Sequence, residues 1–144
     1  MYDDEISDEF QNIKKSAKTL RVNFNDAFSE YADTKRKTIS NDEEASILRH
    51  DLRTPLNGII GYSEILLEDF EDDIEESHAE DINHIIGLAK EVEGAIARFV
   101  DFLKDGTDKT SESLAENESA ENLFSSLGKI DYKLEIIDEI KQSR

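Results

Sequence analysis

Apolar residues recur along this chain in alternating steps of four and three, and this spacing constrains the fold more than any other feature. A regular series occupies residues 3–35, at Ile6, Phe10, Ile13, Ala17, Leu20, Phe24, Ala27 and Tyr31. Such a seam predicts a long helix that packs against other helices, in a coiled coil or a bundle. We favour a plain dimerising helix, although the bulk of Phe10 and Phe24 leaves a bundle or an irregular coil open.

Two further series predict helices over residues 41–70 and 78–105. Between them, seven of the nine residues 68–76 carry carboxylates, which indicates a solvated turn, since the ligand pattern of a calcium loop is missing. The two helices are expected to form an antiparallel hairpin with one wide apolar stripe each. Because a lone hairpin cannot bury two such stripes, we expect two copies to pair as a homodimeric four-helix bundle.

Polar stretches divide the chain into parts. Ser40 and Glu43 fit a capping box, which predicts a helix break near residues 37–40. The seam can also be counted through this stretch without losing phase, so a continuous helix stays open. The expected fold is all-α, with an N-terminal heptad helix, a central hairpin, a polar linker and a C-terminal helix over residues 1–40, 41–106, 107–118 and 119–144.

The C-terminal helix has a competing interpretation. Leu123, Leu127, Ile130, Leu134 and Ile137 follow helical spacing, but the stretch 129–136 also alternates as a strand would. The sequence alone leaves that choice open, with the helix preferred.

The formal net charge of −18 argues against partners with an anionic surface, both nucleic acid and membranes. No apolar run is long enough to cross a bilayer, and the acidic start is not a signal peptide. Cysteine is absent, which excludes disulfides and thiolate metal sites. These features predict a cytoplasmic protein.

The residues that carry chemistry lie in the stretch 49–57, Arg-His-Asp-Leu-Arg-Thr-Pro-Leu-Asn. His50 lies two positions after Leu48 and two before Leu52, which both belong to the apolar series over residues 41–70. It should therefore point away from the core. Neutral imidazole is a nucleophile, and Asp51 can take the proton from one ring nitrogen while the other attacks. Thr54, one turn later, can position a water or a phosphoryl oxygen. This combination describes phosphoryl transfer to or from a histidine.

The surroundings of His50 add charge and a bend. Arg49 and Arg53 form a positive collar that suits an incoming phosphoryl group, and we assign them a positioning role together with Asn57. Pro55 is the only proline, and it removes one helical hydrogen bond. With the glycines that follow it, Pro55 predicts a bend in the helix over residues 54–61.

The run His50-Asp51-Leu52-Arg53-Thr54-Pro55-Leu56, followed by Asn57-Gly58-Ile59-Ile60-Gly61-Tyr62, resembles the phosphoacceptor motif of sensor histidine kinases. The motif belongs to their dimerisation and histidine-phosphotransfer domain, whose hairpin would cover roughly residues 41–106. The resemblance implies that His50 is phosphorylated, that Asp51 is the assisting base, that Thr54 orients water during dephosphorylation of the partner, and that Pro55 forms the kink. Asp51 replaces the glutamate that is common in the family and keeps the carboxylate.

The resemblance also implies partners. They are an ATP-binding kinase catalytic domain and a response-regulator receiver domain with an acceptor aspartate, and ATP and Mg²⁺ would be bound by the partner domains. The chain departs from a complete kinase, because it contains no Gly-rich phosphate loop or other nucleotide motif. We therefore expect no cofactor on this chain and no autophosphorylation by this chain alone.

Three functions remain open at this point. The chain can be the dimerisation and phosphoacceptor core of a kinase, a stand-alone phosphotransfer protein, or a non-catalytic helical connector with a silent motif. The N-terminal seam favours the first or the third, since a shuttle needs no input helix. His78 and His84 are expected to be ordinary surface histidines, because the pair Glu80 and His84 lacks a third metal ligand.

Overall fold

The computed structural model describes residues 4–33, 42–104 and 118–142. These ranges hold four long helices: α1 (Asp4–Asp33), α2 (Asp42–Asp69), α3 (Glu76–Lys104) and α4 (Glu118–Gln142). A short 3-10 turn, Glu71–Asp73, connects α2 to α3, and the described ranges contain no strand. The all-α prediction is confirmed, and the stretch 129–136 is helical.

The segments between the long helices carry the remaining predictions about the fold. The choice between a helix break near residues 37–40 and a continuous helix lies outside the described residues. So does the polar linker predicted over residues 107–118, except for Glu118, which is the first residue of α4. The predicted acidic turn between the hairpin helices is confirmed, and Glu71, Asp72 and Asp73 are exposed in it.

Each helix runs antiparallel to the next one along the chain. The main contacts join α1 to α2, α2 to α3 and α3 to α4, and α4 also touches α1. Ion pairs mark two of these contacts: Lys133 of α4 binds Asp81 of α3 at 3.1 Å, and Arg21 of α1 binds Asp131 of α4. The order is that of an up-down-up-down four-helix bundle, formed by a single chain.

The seam of α1 lies in the core of this bundle. Its first seven members are all at most 5% exposed: Ile6, Phe10, Ile13, Ala17, Leu20, Phe24 and Ala27. The ring of Phe24 meets Phe99 of α3 with centroids 5.2 Å apart and Phe124 of α4 at 4.7 Å. The bulky side chains that would overfill a two-stranded coil therefore fill the centre of a bundle, and α1 and α4 cover the apolar stripe of the α2–α3 hairpin.

One histidine prediction was wrong. His78 is only 2% exposed and lies among Ile6, Phe10, Leu66 and Ile82, whereas His84 is exposed as predicted. The physical reason is position: His78 precedes Ile82 by four residues, so it extends the seam of α3 by one turn towards its N-terminus.

None of the helices in the described part of the chain combines the length and the apolar character needed to cross a bilayer.

Candidate functional site

His50 stands clear of the bundle on α2. Its side chain is 78% exposed and that of Asp51 is 60% exposed, while Leu52 beside them is fully buried. This is the outward orientation that the seam count predicts. The Nδ1 atom of His50 lies 3.9 Å from Oδ1 of Asp51, which is longer than a hydrogen bond.

Thr54 lies one turn after His50 and on the same face of α2. Its hydroxyl donates a 2.8 Å hydrogen bond to the backbone carbonyl of His50. This bond holds the hydroxyl beside the base of the histidine side chain and leaves its oxygen lone pairs available to accept from a water.

The other predicted positioning residues divide into two groups. Arg53 and Asn57 are exposed and lie three and seven residues after His50, so they share its face. Arg49 is half-buried, and it is turned by about 100° around the helix axis from His50. Of the two arginines, Arg53 is therefore the one on the face of the histidine.

Pro55 is buried inside α2, which continues as one helix from Asp42 to Asp69. A proline has no backbone N–H, so the carbonyl four residues earlier, that of Asp51, loses its helical donor. The side-chain amide of Asn23 on α1 donates a 3.0 Å hydrogen bond to this carbonyl. The bend at Pro55 stays a prediction.

Two turns after Asp51, helix α1 approaches the backbone of Gly58. A Cβ atom at Gly58 would lie 2.5 Å from Oγ and 3.2 Å from Cβ of Ser16. Gly61, by contrast, has no such neighbour within 4 Å among the described residues. Gly58 therefore permits the close approach of α1, a role that its sequence context did not reveal.

Two residues near the site were missed by the sequence analysis. Asn23 flanks the α1 seam, where a polar side chain is unremarkable, and only the packing of α1 on α2 shows its partner. Ile47 is an apolar side chain, 57% exposed, that lies one turn before His50. Its exposure follows from the α2 seam, but a single exposed isoleucine is too common to signal a site.

Comparison with protein families matches residues 40–108 to the family model HisKA, the His Kinase A (phospho-acceptor) domain. Residues 40–108 carry a HisKA domain. The match covers α2 and α3, which form the helical hairpin of this domain, and it contains His50 and the turn that follows α2. The HisKA domain is the phosphoacceptor and dimerisation module of histidine kinases, so the resemblance found in the sequence is confirmed.

Comparison with curated proteins and with solved structures found no significant match. Around the HisKA hairpin, the described helices hold no cluster of three or more His, Asp or Glu side chains arranged to bind a metal ion.

Proposed function

We propose that the HisKA domain of this chain accepts a phosphoryl group on His50 from an ATP-binding kinase catalytic domain and passes it to the aspartate of a response-regulator receiver domain. The observation that carries the proposal is the exposure of His50 within the matched segment, 78% of its side chain, with a carboxylate beside it. A donor bound to another domain can reach only a nucleophile that stands clear of the bundle.

The geometry suggests which nitrogen reacts. Nδ1 of His50 is the ring nitrogen near Asp51, at 3.9 Å from Oδ1, which leaves Nε2 for the attack. Nε2 forms a bond to the γ-phosphorus of ATP, the bond from that phosphorus to the β,γ-bridging oxygen breaks, and ADP leaves. Asp51 stabilises the proton that remains on Nδ1 or accepts it. ATP and Mg²⁺ belong to the partner domain in this step.

Exposed Ile47 supports a protein partner at this surface, since an apolar side chain one turn from the nucleophile gives an incoming domain something to bury.

Labelling tests the proposal. The chain is incubated with Mg²⁺ and γ-labelled ATP plus a purified histidine kinase catalytic domain, and separately with a labelled phospho-receiver. We expect acid-labile label on the wild-type chain and on His84→Gln, and none on His50→Gln. His84 is a suitable control because it is the other exposed histidine of the described helices. Absence of label with every donor would contradict the proposal and favour a non-catalytic connector.

One observation favours a second candidate, a stand-alone phosphotransfer protein. The hairpin stripe is covered by α1 and α4 of the same chain, so the bundle around His50 is complete without a second copy. The two candidates differ in their donor. A stand-alone shuttle is labelled faster by a phospho-receiver than by a kinase catalytic domain at equal concentrations, and a kinase core shows the reverse order.

A further inference from the structure

The backbone around His50 is held by two side-chain hydrogen bonds on neighbouring carbonyls. Thr54 donates to the carbonyl of His50 at 2.8 Å, and Asn23 donates to the carbonyl of Asp51 at 3.0 Å. The two bonds differ in origin. The first is local to α2, whereas the second comes from α1, across a sequence separation of 28 residues.

The bond from Asn23 replaces one that the helix cannot make. In an unbroken helix the N–H of residue 55 would donate to the carbonyl of Asp51, but Pro55 has no N–H. A carbonyl without a donor is free to tilt, and it carries the Cα of Asp51 with it. The amide of Asn23 supplies the missing donor at the residue whose carboxylate flanks His50.

A second contact fixes α1 in the register that this bond needs. Ser16 packs against the backbone of Gly58, and it precedes Asn23 by seven residues, as Asp51 precedes Gly58 by seven. On antiparallel helices these equal spacings place the two contacts in one line, on either side of Pro55. A side chain larger than hydrogen at residue 58 would push α1 away, and Asn23 with it.

We propose that Asn23 is a positioning residue of the phosphoacceptor site: it restrains the backbone of Asp51 where Pro55 has removed the helical bond, and it thereby orients the carboxylate beside His50. The inference rests on the proposed function of His50. It makes α1, which lies outside the matched HisKA segment, part of the site.

A double-mutant cycle tests this role. Asn23→Ala is expected to lower the rate of His50 phosphorylation about three- to tenfold, the range that corresponds to one hydrogen bond. In a Pro55→Ala background the N–H of residue 55 can bond to the Asp51 carbonyl again, so the same Asn23→Ala change is expected to have almost no effect on the rate. A role of Asn23 that does not run through the Asp51 carbonyl would give the same loss in both backgrounds.

Asn25→Ala is the matched control, because Asn25 is an exposed asparagine two residues further along α1. It is expected to leave the rate unchanged. Denaturant unfolding of each variant shows whether a loss of rate follows a loss of folded protein. An equal loss for Asn23→Ala with and without Pro55, or a loss of the same size for Asn25→Ala, would overturn the inference.

A second measurement separates this inference from the proposed function. In the unphosphorylated protein, Asn23→Ala is expected to shift the backbone carbonyl ¹³C resonance of Asp51, and Asn25→Ala is not. If that resonance does not move while wild type is labelled, Asn23 is not a positioning residue and the function of His50 stands. If the resonance moves but wild type takes no label, the proposed function fails, and the positioning role of Asn23 in phosphorylation fails with it.

Discussion

At the scale of residues, His50 and His78 show how one side-chain type is put to opposite uses. His50 lies two positions from a seam leucine and is solvated, which suits a nucleophile. His78 lies on a seam position and is buried. Burial lowers the pKa of His78 because the charged form loses its water, and the negative charge of Asp81 opposes this shift.

The lowered pKa of His78 predicts a pH dependence of stability. The unfolded chain binds a proton on this residue more readily than the folded chain does, so falling pH favours unfolding. The stability that neutral His78 contributes is present above its ordinary pKa of 6.5 and is lost as the pH falls below that value. Urea midpoints from pH 7.5 to pH 5 are expected to fall less for His78→Leu than for wild type.

The exposed His84 provides the control for that experiment. His84→Gln is expected to keep the wild-type dependence of the urea midpoint on pH. If His78→Leu also keeps it, the proton that destabilises the bundle binds elsewhere.

Asp51 and Thr54 are expected to affect different reactions. Asp51→Asn should slow phosphorylation of His50 about a hundredfold, the scale of a lost acid–base group, with little change in stability because the side chain is exposed.

Thr54→Ala should impair dephosphorylation of the receiver more than phosphorylation of His50. Thr54→Ser, which keeps the hydroxyl, should dephosphorylate the receiver at the wild-type rate. The rate at which His50 gains label measures phosphorylation, and the rate at which the receiver loses label measures dephosphorylation. Wild-type rates in Asp51→Asn and Thr54→Ala would contradict these roles.

Ser63 is a residue at which a substitution is expected to stabilise the bundle. Its side chain is fully buried four residues after the buried Ile59 of α2, and its hydroxyl has no hydrogen-bond partner among the described residues. Ser63→Ala removes this unsatisfied group and is expected to raise the free energy of unfolding by about 1 kcal/mol or more. Ser46→Ala, on the exposed face of the same helix, should gain only the small difference in helix propensity. Equal gains would indicate that the Ser63 hydroxyl is satisfied.

At the scale of elements, the two glycines after Pro55 have different roles. Gly61 has open space where a Cβ would go, so Gly61→Ala is expected to stabilise α2 by about 0.5–1 kcal/mol. At Gly58 the same Cβ would meet Ser16 on α1, and Gly58→Ala is expected to gain less or to destabilise. Chemical denaturation measures the difference. Equal stabilisation by both changes would mean that α1 does not lie against this turn.

The helices themselves could be predicted from the sequence, because each one carries a series of mostly apolar residues at helical spacing that identifies its buried face. The histidine at the start of α3 was missed because the series was counted from Ile82, the first apolar member. The partner of each face could not be predicted. The seam of α1 fits a second copy, another protein or the chain's own hairpin equally well, and its spacing is the same in each case.

The candidate site divides in the same way. The outward position of His50 and the exposure of Asp51 and Thr54 follow from counting along one helix. The bond from Asn23 and the contact of Ser16 with Gly58 depend on how two helices cross, which side-chain spacing within one helix does not encode.

At the scale of the whole molecule, the main feature is that one chain supplies all four helices of the described bundle. HisKA domains dimerise, and the sequence predicts a second copy over the hairpin stripe. That stripe is covered by α1 and α4. A homodimer of this chain would therefore pair through other faces, or exchange α1 and α4 between the copies.

This closure predicts unimolecular unfolding. We expect the melting temperature to stay constant over a hundredfold dilution, because no second chain is needed to bury the core. Light scattering at both concentrations shows whether one copy or two are present at each melting temperature. A melting temperature that rises with concentration, together with a dimer mass, would favour the homodimeric bundle over the single-chain one.

The hydrogen bond from Asn23 to the Asp51 carbonyl connects α1 to the phosphoacceptor site. Coupling between two equilibria is reciprocal. If the docked position of α1 favours the phosphorylated state of His50 by some factor, then phosphorylation tightens the docking of α1 by the same factor. The docking of α1 on the bundle would then depend on whether His50 is phosphorylated. A protein that binds α1 could detect the phosphorylation without contacting the phosphoryl group.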